Sequence, residues 1–120
     1  MFIRDLKNCG EFLAGDNSIL RELFNPLKDN LALNYSLALA SVPPGVTTKA
    51  HRLNSSEVYY LLKGKGEMRI NEEKAEVFSH QAVYIPPNSI QQITNTGEED
   101  LIFLCLVEPA WRPEGEEVLE

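Results

Sequence analysis

GVTTKAHRLNSSEVYYLLKG, residues 45–64, holds two runs of β-forming residues on either side of Asn54-Ser55-Ser56. Val46, Thr47, Thr48 and the residues up to Leu53 supply the first run; Val58-Tyr59-Tyr60-Leu61-Leu62 supply the second. Side chains alternate faces along a strand, so His51 and Leu53 share a face, and Glu57, Tyr59 and Leu61 share another. A short turn that lays the second strand beside the first would bring Glu57 to His51 inside one cavity. An imidazole and a carboxylate converging there offer a metal site or an acid/base pair.

The same texture extends in both directions. Leu31–Val42 alternates Leu31, Leu33, Tyr35, Leu37 and Leu39 with smaller residues between the turn signals Asp29-Asn30 and Pro43-Pro44-Gly45, which predicts a long strand. Downstream, Lys63-Gly64-Lys65-Gly66 reads as a hairpin turn, and Glu67–Ile70 with Lys74–Phe78 as a second hairpin around Asn71-Glu72-Glu73. Ala82–Ile85, Ile90–Asn95 and Asp100–Val107 complete the series, separated by Pro86-Pro87-Asn88 and Thr96-Gly97-Glu98. Upstream, Phe2–Leu6 reads as a short edge strand. Asp16-Asn17-Ser18 ahead of Ile19, Leu20, Leu23 and Phe24 predicts one short helix, stopped at Asn25-Pro26. Many short strands with Gly, Pro and Asn turns give an all-β sandwich or barrel.

A chain of 120 residues with 43% hydrophobic content and no internal repeat is one domain. It divides into an N-terminal extension (1–30), a barrel (31–108) and a solvated acidic tail (109–120). Eleven basic against eighteen acidic residues, a net charge of −7, exclude nucleic acid and anionic membrane as partners, since no excess of Lys and Arg is available to displace phosphate counterions. No run reaches the length of a membrane span. Cys9 and Cys105 stand far apart in no metal or redox spacing, which favours a reducing cytoplasm, with Cys105 a small buried hydrophobe.

Two motifs now carry a resemblance. Gly45, five residues, His51-Arg52-Leu53, three residues, Glu57, six residues and Gly64 make the first. His80, five residues, Pro86-Pro87-Asn88, two residues, Gln91, three residues and Asn95 make the second. In spacing and order this pair resembles the two motifs of the cupins, and SSEVYYLLKGKGEM is similar to the small single-domain cupins of archaea and bacteria. The resemblance implies a cupin-type double-stranded β-helix, a jelly-roll barrel, with the short N-terminal helix added. It also implies a metal set of three histidines and one glutamate pointing inward. His51 and Glu57 match that set, whereas Leu53 stands at the second histidine and Gln91 at the third.

The metal site so implied is His51, Glu57 and Gln91 completed by water, suited to a loosely held divalent ion (Mn, Fe, Ni, Zn or Mg). Hydrogen bonding of Gln91 to Glu57 or His51 is the competing role for the amide. Tyr35, Leu53, Tyr59, Leu61 and Ile93 are expected to line the pocket. Asn88 and His80 stand where the motif has glycines, and Asn tolerates the same left-handed backbone. Val58, Tyr60 and Leu62 point outward and need a cover, for which a second subunit in a homodimer is the expectation. The function implied is a small-molecule one: a metal-dependent enzyme acting on a sugar or carboxylate, or a non-catalytic ligand-binding or structural cupin with a degenerate metal site.

Overall fold

A computed structural model describes all 120 residues and shows eleven strands in two antiparallel sheets. One sheet has the order β1 (Phe12–Leu13), β2 (Ile19–Phe24), β3 (Ser36–Val42), β10 (Leu101–Glu108), β5 (Ser56–Lys63), β8 (Ala82–Ile85). The other has the order β11 (Glu116–Val118), β4 (His51–Leu53), β9 (Gln91–Asn95), β6 (Lys65–Ile70), β7 (Glu73–Phe78). Helix is confined to 3-10 turns at Leu6–Asn8 and Pro113–Gly115. The sheets face each other as a jelly-roll barrel.

The expected N-terminal helix is a strand. Ile19–Phe24 pairs antiparallel with β3, placing Leu20 opposite Ala40 and Glu22 opposite Ala38. The Asp16 carboxylate does accept from a nearby backbone N–H, that of Ser18 at 3.0 Å, but within the turn joining β1 to β2, where Asn17 takes φ +73°. Short polar side chains stabilise turns by the same local bonds that cap helices, so that signal was ambiguous. Phe2–Leu6 forms no strand; Arg4 instead ties this segment to Asp29 at 3.1 Å. Leu31–Tyr35 also lies outside β3, which starts at Ser36.

A second difference concerns the pivotal stretch. Strands β4 and β5 do not pair: β4 lies between β11 and β9, whereas β5 lies between β10 and β8. The chain crosses from one sheet to the other at Asn54-Ser55 and crosses back at Gly64. There φ is +89° and an added Cβ would stand 3.0 Å from the Asp100 carbonyl oxygen, so this is a sheet-changing corner rather than a hairpin. His51 and Glu57 therefore face each other across the barrel. Hairpin pairing survives for β6 and β7, with Ile70 opposite Glu73.

One end of the barrel is packed solid by Leu61, Met68, Val77, Ile85, Ile93, Leu101 and Phe103. Each such side chain contributes about 1.5–3 kcal/mol when fully buried. The termini close the other end. β11 belongs to the acidic tail, and it pairs with β4 as Glu116 opposite Leu53 and Val118 opposite His51, so the tail is an edge strand of the second sheet.

Candidate ligand-binding site in the barrel

The half of the barrel that the core leaves unfilled is a cavity of about 320 Å³. Its apolar wall includes Leu20, Leu53, Phe103 and Val107, and its polar groups include Asp16, His51, Glu57, Tyr59 and Glu116, with Glu22 and Lys28 also on the wall. Alternation fixes which residues of the first sheet enter it. Ser36 and Ala38 of β3 and Cys105 and Val107 of β10 point inward, while Leu37, Leu39, Leu104 and Leu106 point out. Small residues on β3 leave the space that larger ones would fill.

His51 is 3% exposed. Its Nδ1 lies 2.8 Å from the Lys49 carbonyl oxygen, which can only accept, so Nδ1 carries a proton and donates it there. Nε2 has no hydrogen-bond partner in the protein and stands 3.6 Å from Asp16 Oδ2. Asp16 Oδ1 is already taken by the Ser18 hydroxyl at 2.7 Å.

Across the barrel, Gln91 joins the two sheets. Its Nε2 donates to Glu57 Oε1 at 3.0 Å, and its Oε1 accepts from the Tyr59 hydroxyl at 2.9 Å. It sits beside His51 in register on β9. Glu57 is 6% exposed. Burial pushes its pKa up to about 8; the Gln91 bond opposes that rise, and the charges of Asp16 and Glu116 add to it. Glu57 is therefore mostly a neutral acid at neutral pH. Burial likewise raises Tyr59 and the Cys105 thiol, and it raises Glu116 against the favourable charge of His51.

Of the expected pocket residues, Leu53 and Tyr59 face the cavity. Leu61 and Ile93 do not; they belong to the packed core. Tyr35 does not line it either, because it precedes β3 and shares parity with the outward Leu37 and Leu39. Asp16, Glu116 and Trp111 do line it, and were read from sequence as a helix cap and a solvated tail. No local pattern distinguished them. They reach the site only because chain ends distant in sequence close the same mouth.

The donor set does not fit the metal that the motifs imply. No three His, Cys, Asp or Glu side chains stand close enough together to hold an ion. Leu53, at the second histidine position, presents hydrocarbon to the cavity. Gln91 spends both ends of its amide on Glu57 and Tyr59. Of the four ligand positions of the motifs, that leaves His51 Nε2 and the Glu57 carboxyl, fewer donors than a stable site needs.

Comparison with known proteins places this architecture. A profile described as "Cupin domain" matches residues 38–107. The chain belongs to the cupin family. It is 39% identical over 112 residues to "Uncharacterized protein MJ1618" of Methanocaldococcus jannaschii, an alignment spanning 91% of this chain and 87% of that protein. It is 27% identical over 119 residues to a glucose-6-phosphate isomerase of Pyrococcus abyssi, spanning 88% of this chain and 63% of the relative. Among solved structures, a Cupin 2 conserved barrel domain protein from Salinispora arenicola superposes with a TM-score of 0.77 at 21% identity, covering 95% of this cupin and 91% of that chain. Streptomyces PAC13, solved with uridine, superposes with a TM-score of 0.80 at 17% identity, covering 100% of this cupin and 92% of that chain. Asp16, Trp111 and Glu116 lie outside the matched segment, so this cupin's cavity is completed by residues that the family profile does not include.

Proposed function

We propose that this cupin binds a small polar metabolite in the barrel cavity, with His51 and Glu57 handling protons where the motif would place a metal. The carrying observation is the recessed cavity of about 320 Å³, apolar on most of its wall, into which the unbonded His51 Nε2 opens opposite Glu57. This is the usual composition of a small-molecule site: mostly hydrocarbon with a few convergent polar groups. Its ionisable wall groups are mainly carboxyls, and the one lysine on the wall, Lys28, is held by Glu22 at 2.8 Å. Carboxylate and phosphate ligands are therefore disfavoured, and a hydroxyl-rich or cationic ligand is favoured. The nucleoside named with PAC13 is polyhydroxylated and uncharged, which agrees with a hydroxyl-bearing ligand; the sugar phosphate named for the Pyrococcus relative shares the hydroxyls but carries the phosphate that this wall disfavours.

A proton-transfer enzyme is the stronger form of this reading. The neutral Glu57 acid, placed by Gln91, can give a proton, and His51 Nε2 can take one. A thermal-shift screen of uncharged and cationic metabolites on wild type and Ala38→Phe tests the binding reading, because a phenyl ring at Ala38 fills the cavity. We expect at least one compound to raise the midpoint of the wild type and to leave the plugged variant unmoved. Equal shifts in both proteins, or none in wild type, would overturn it. Incubation of the hit with wild type and Glu57→Gln then separates enzyme from binder, since an enzyme consumes the compound and the variant returns it intact.

A further inference from the structure

Four residues with carboxyl groups line the cavity; Glu22 is paired with Lys28 at 2.8 Å, which leaves Asp16, Glu57 and Glu116, from the β1–β2 turn, β5 and β11. Salt bridges do not neutralise them: the only ionisable partner near Asp16 is His51, and Lys28 is engaged by Glu22. An acidic wall alone says little about a ligand. The second observation is His51, whose side chain is almost fully buried while Nε2 bonds to nothing and turns toward Asp16 Oδ2 at 3.6 Å, too far for a hydrogen bond. Asp16 Oδ2 itself accepts no hydrogen bond, since both contacts from Ser18 end on Oδ1. No side-chain nitrogen or oxygen is both buried and unpartnered, so Asp16 Oδ2 and His51 Nε2 are open to the cavity and available to a donor that enters it.

We infer that the ligand of this cavity carries a cationic nitrogen, an ammonium or amidinium group, seated between the Asp16 and Glu116 carboxylates beside His51, with its carbon skeleton against Leu20, Phe103 and Val107. This rests on the reading of the cavity as a ligand site and specifies the ligand's charge. An organic cation suits this wall better than a metal ion: no three His, Cys, Asp or Glu side chains cluster to hold an ion, whereas an ammonium can reach separate acceptors through separate N–H bonds. Charge-assisted bonds are the strong kind, so the head group fixes the ligand's orientation. Residues 16 and 116 both lie outside the matched cupin segment, which makes the charge preference a property of this chain's own termini.

Three four-carbon probes differing only in head group test it: butylamine, butanol and butyrate, titrated near neutral pH while the His51 ring resonances are followed by NMR. We expect butylamine to shift the His51 signals and to bind at least about tenfold more tightly than butanol, with butyrate weakest. Asp16→Asn and Glu116→Gln should each weaken butylamine about tenfold while leaving butanol unchanged, and Ala38→Phe should abolish both. Butanol or butyrate binding as tightly as butylamine, or butylamine affinity unchanged in both carboxylate variants, overturns the cationic ligand while leaving the cavity a binding site. His51 signals unmoved by all three probes would overturn the inference and the binding reading together.

Discussion

Gln91 is the residue on which the polar interior depends. Both ends of its amide are used inside the barrel, and they tie Glu57 and Tyr59 of one sheet to β9 of the other. Gln91→Leu leaves a buried carboxyl and a buried phenol without partners, so it should lower unfolding free energy by about 2–4 kcal/mol, read from urea denaturation. Glu57 makes stability depend on pH. Its folded pKa of about 8 lies above its ordinary value of 4.5, so the folded chain binds more protons between those values, and stability falls as pH rises through that window. Glu57→Gln should remove this slope. We expect it to be more stable than wild type at pH 9, by up to roughly 4 kcal/mol, with the gap closing toward pH 5. Parallel melting curves at both pH values would contradict the buried neutral acid. At this scale the sequence was legible where alternation and motif spacing apply: His51, Leu53, Glu57 and Tyr59 all face the cavity. It was not legible for Asp16 and Glu116, whose roles depend on where distant segments meet, nor for Tyr35, placed by extending the alternation beyond the strand that carries it.

Strand order and strand existence were legible to different degrees. β5 to β10 follow the alternation closely, and β3 does so from Ser36 to its end before Pro43, with Gly, Pro, Asn or His at most of the turns between them. Asn88 and His80 take φ +64° and +72° where the motif has glycines. What the sequence concealed was sheet membership: a sharp sheet-crossing corner and a hairpin use the same residues, so the corner at Gly64 reads from sequence as a hairpin turn. Close packing at these corners makes a strong prediction. A Cβ at Gly66 would stand 2.5 Å from the Thr94 carbonyl oxygen, which belongs to the backbone of the paired strand β9, next to Gly66's partner Asn95, and cannot yield. Gly66→Ala should therefore cost about 2 kcal/mol or more, measured as a fall in the urea midpoint. Helical spacing in Ile19–Phe24 failed for a related reason. Four apolar residues in a six-residue segment fit either period, and pairing with β3 decided the outcome.

For the whole molecule, the outer face of the six-stranded sheet sets the expected assembly. Leu39, Leu104 and Tyr60 lie in one row and Leu37, Leu106, Val58 and Tyr84 in the next, with Tyr60 38% and Tyr84 62% exposed. We propose that a second copy packs back to back on this apolar face; light scattering should then give twice the 13.5 kDa chain mass, and Tyr60→Arg should halve it. No helix is long and apolar enough to cross a membrane. Both cysteines are free thiols, Cys105 buried in the barrel wall. The central claim is that a cupin barrel here holds a proton-handling ligand site in place of a metal centre. Metal per chain is its most direct test, measured on tag-free protein after incubation with Mn²⁺, Fe²⁺, Ni²⁺ or Zn²⁺ and desalting. Wild type, His51→Ala and the double variant Leu53→His/Gln91→His would be compared. We predict far less than one ion per chain in wild type, no change in His51→Ala, and a gain toward one in the double variant, which restores the missing donors. Near-stoichiometric metal in wild type that disappears in His51→Ala would contradict the account.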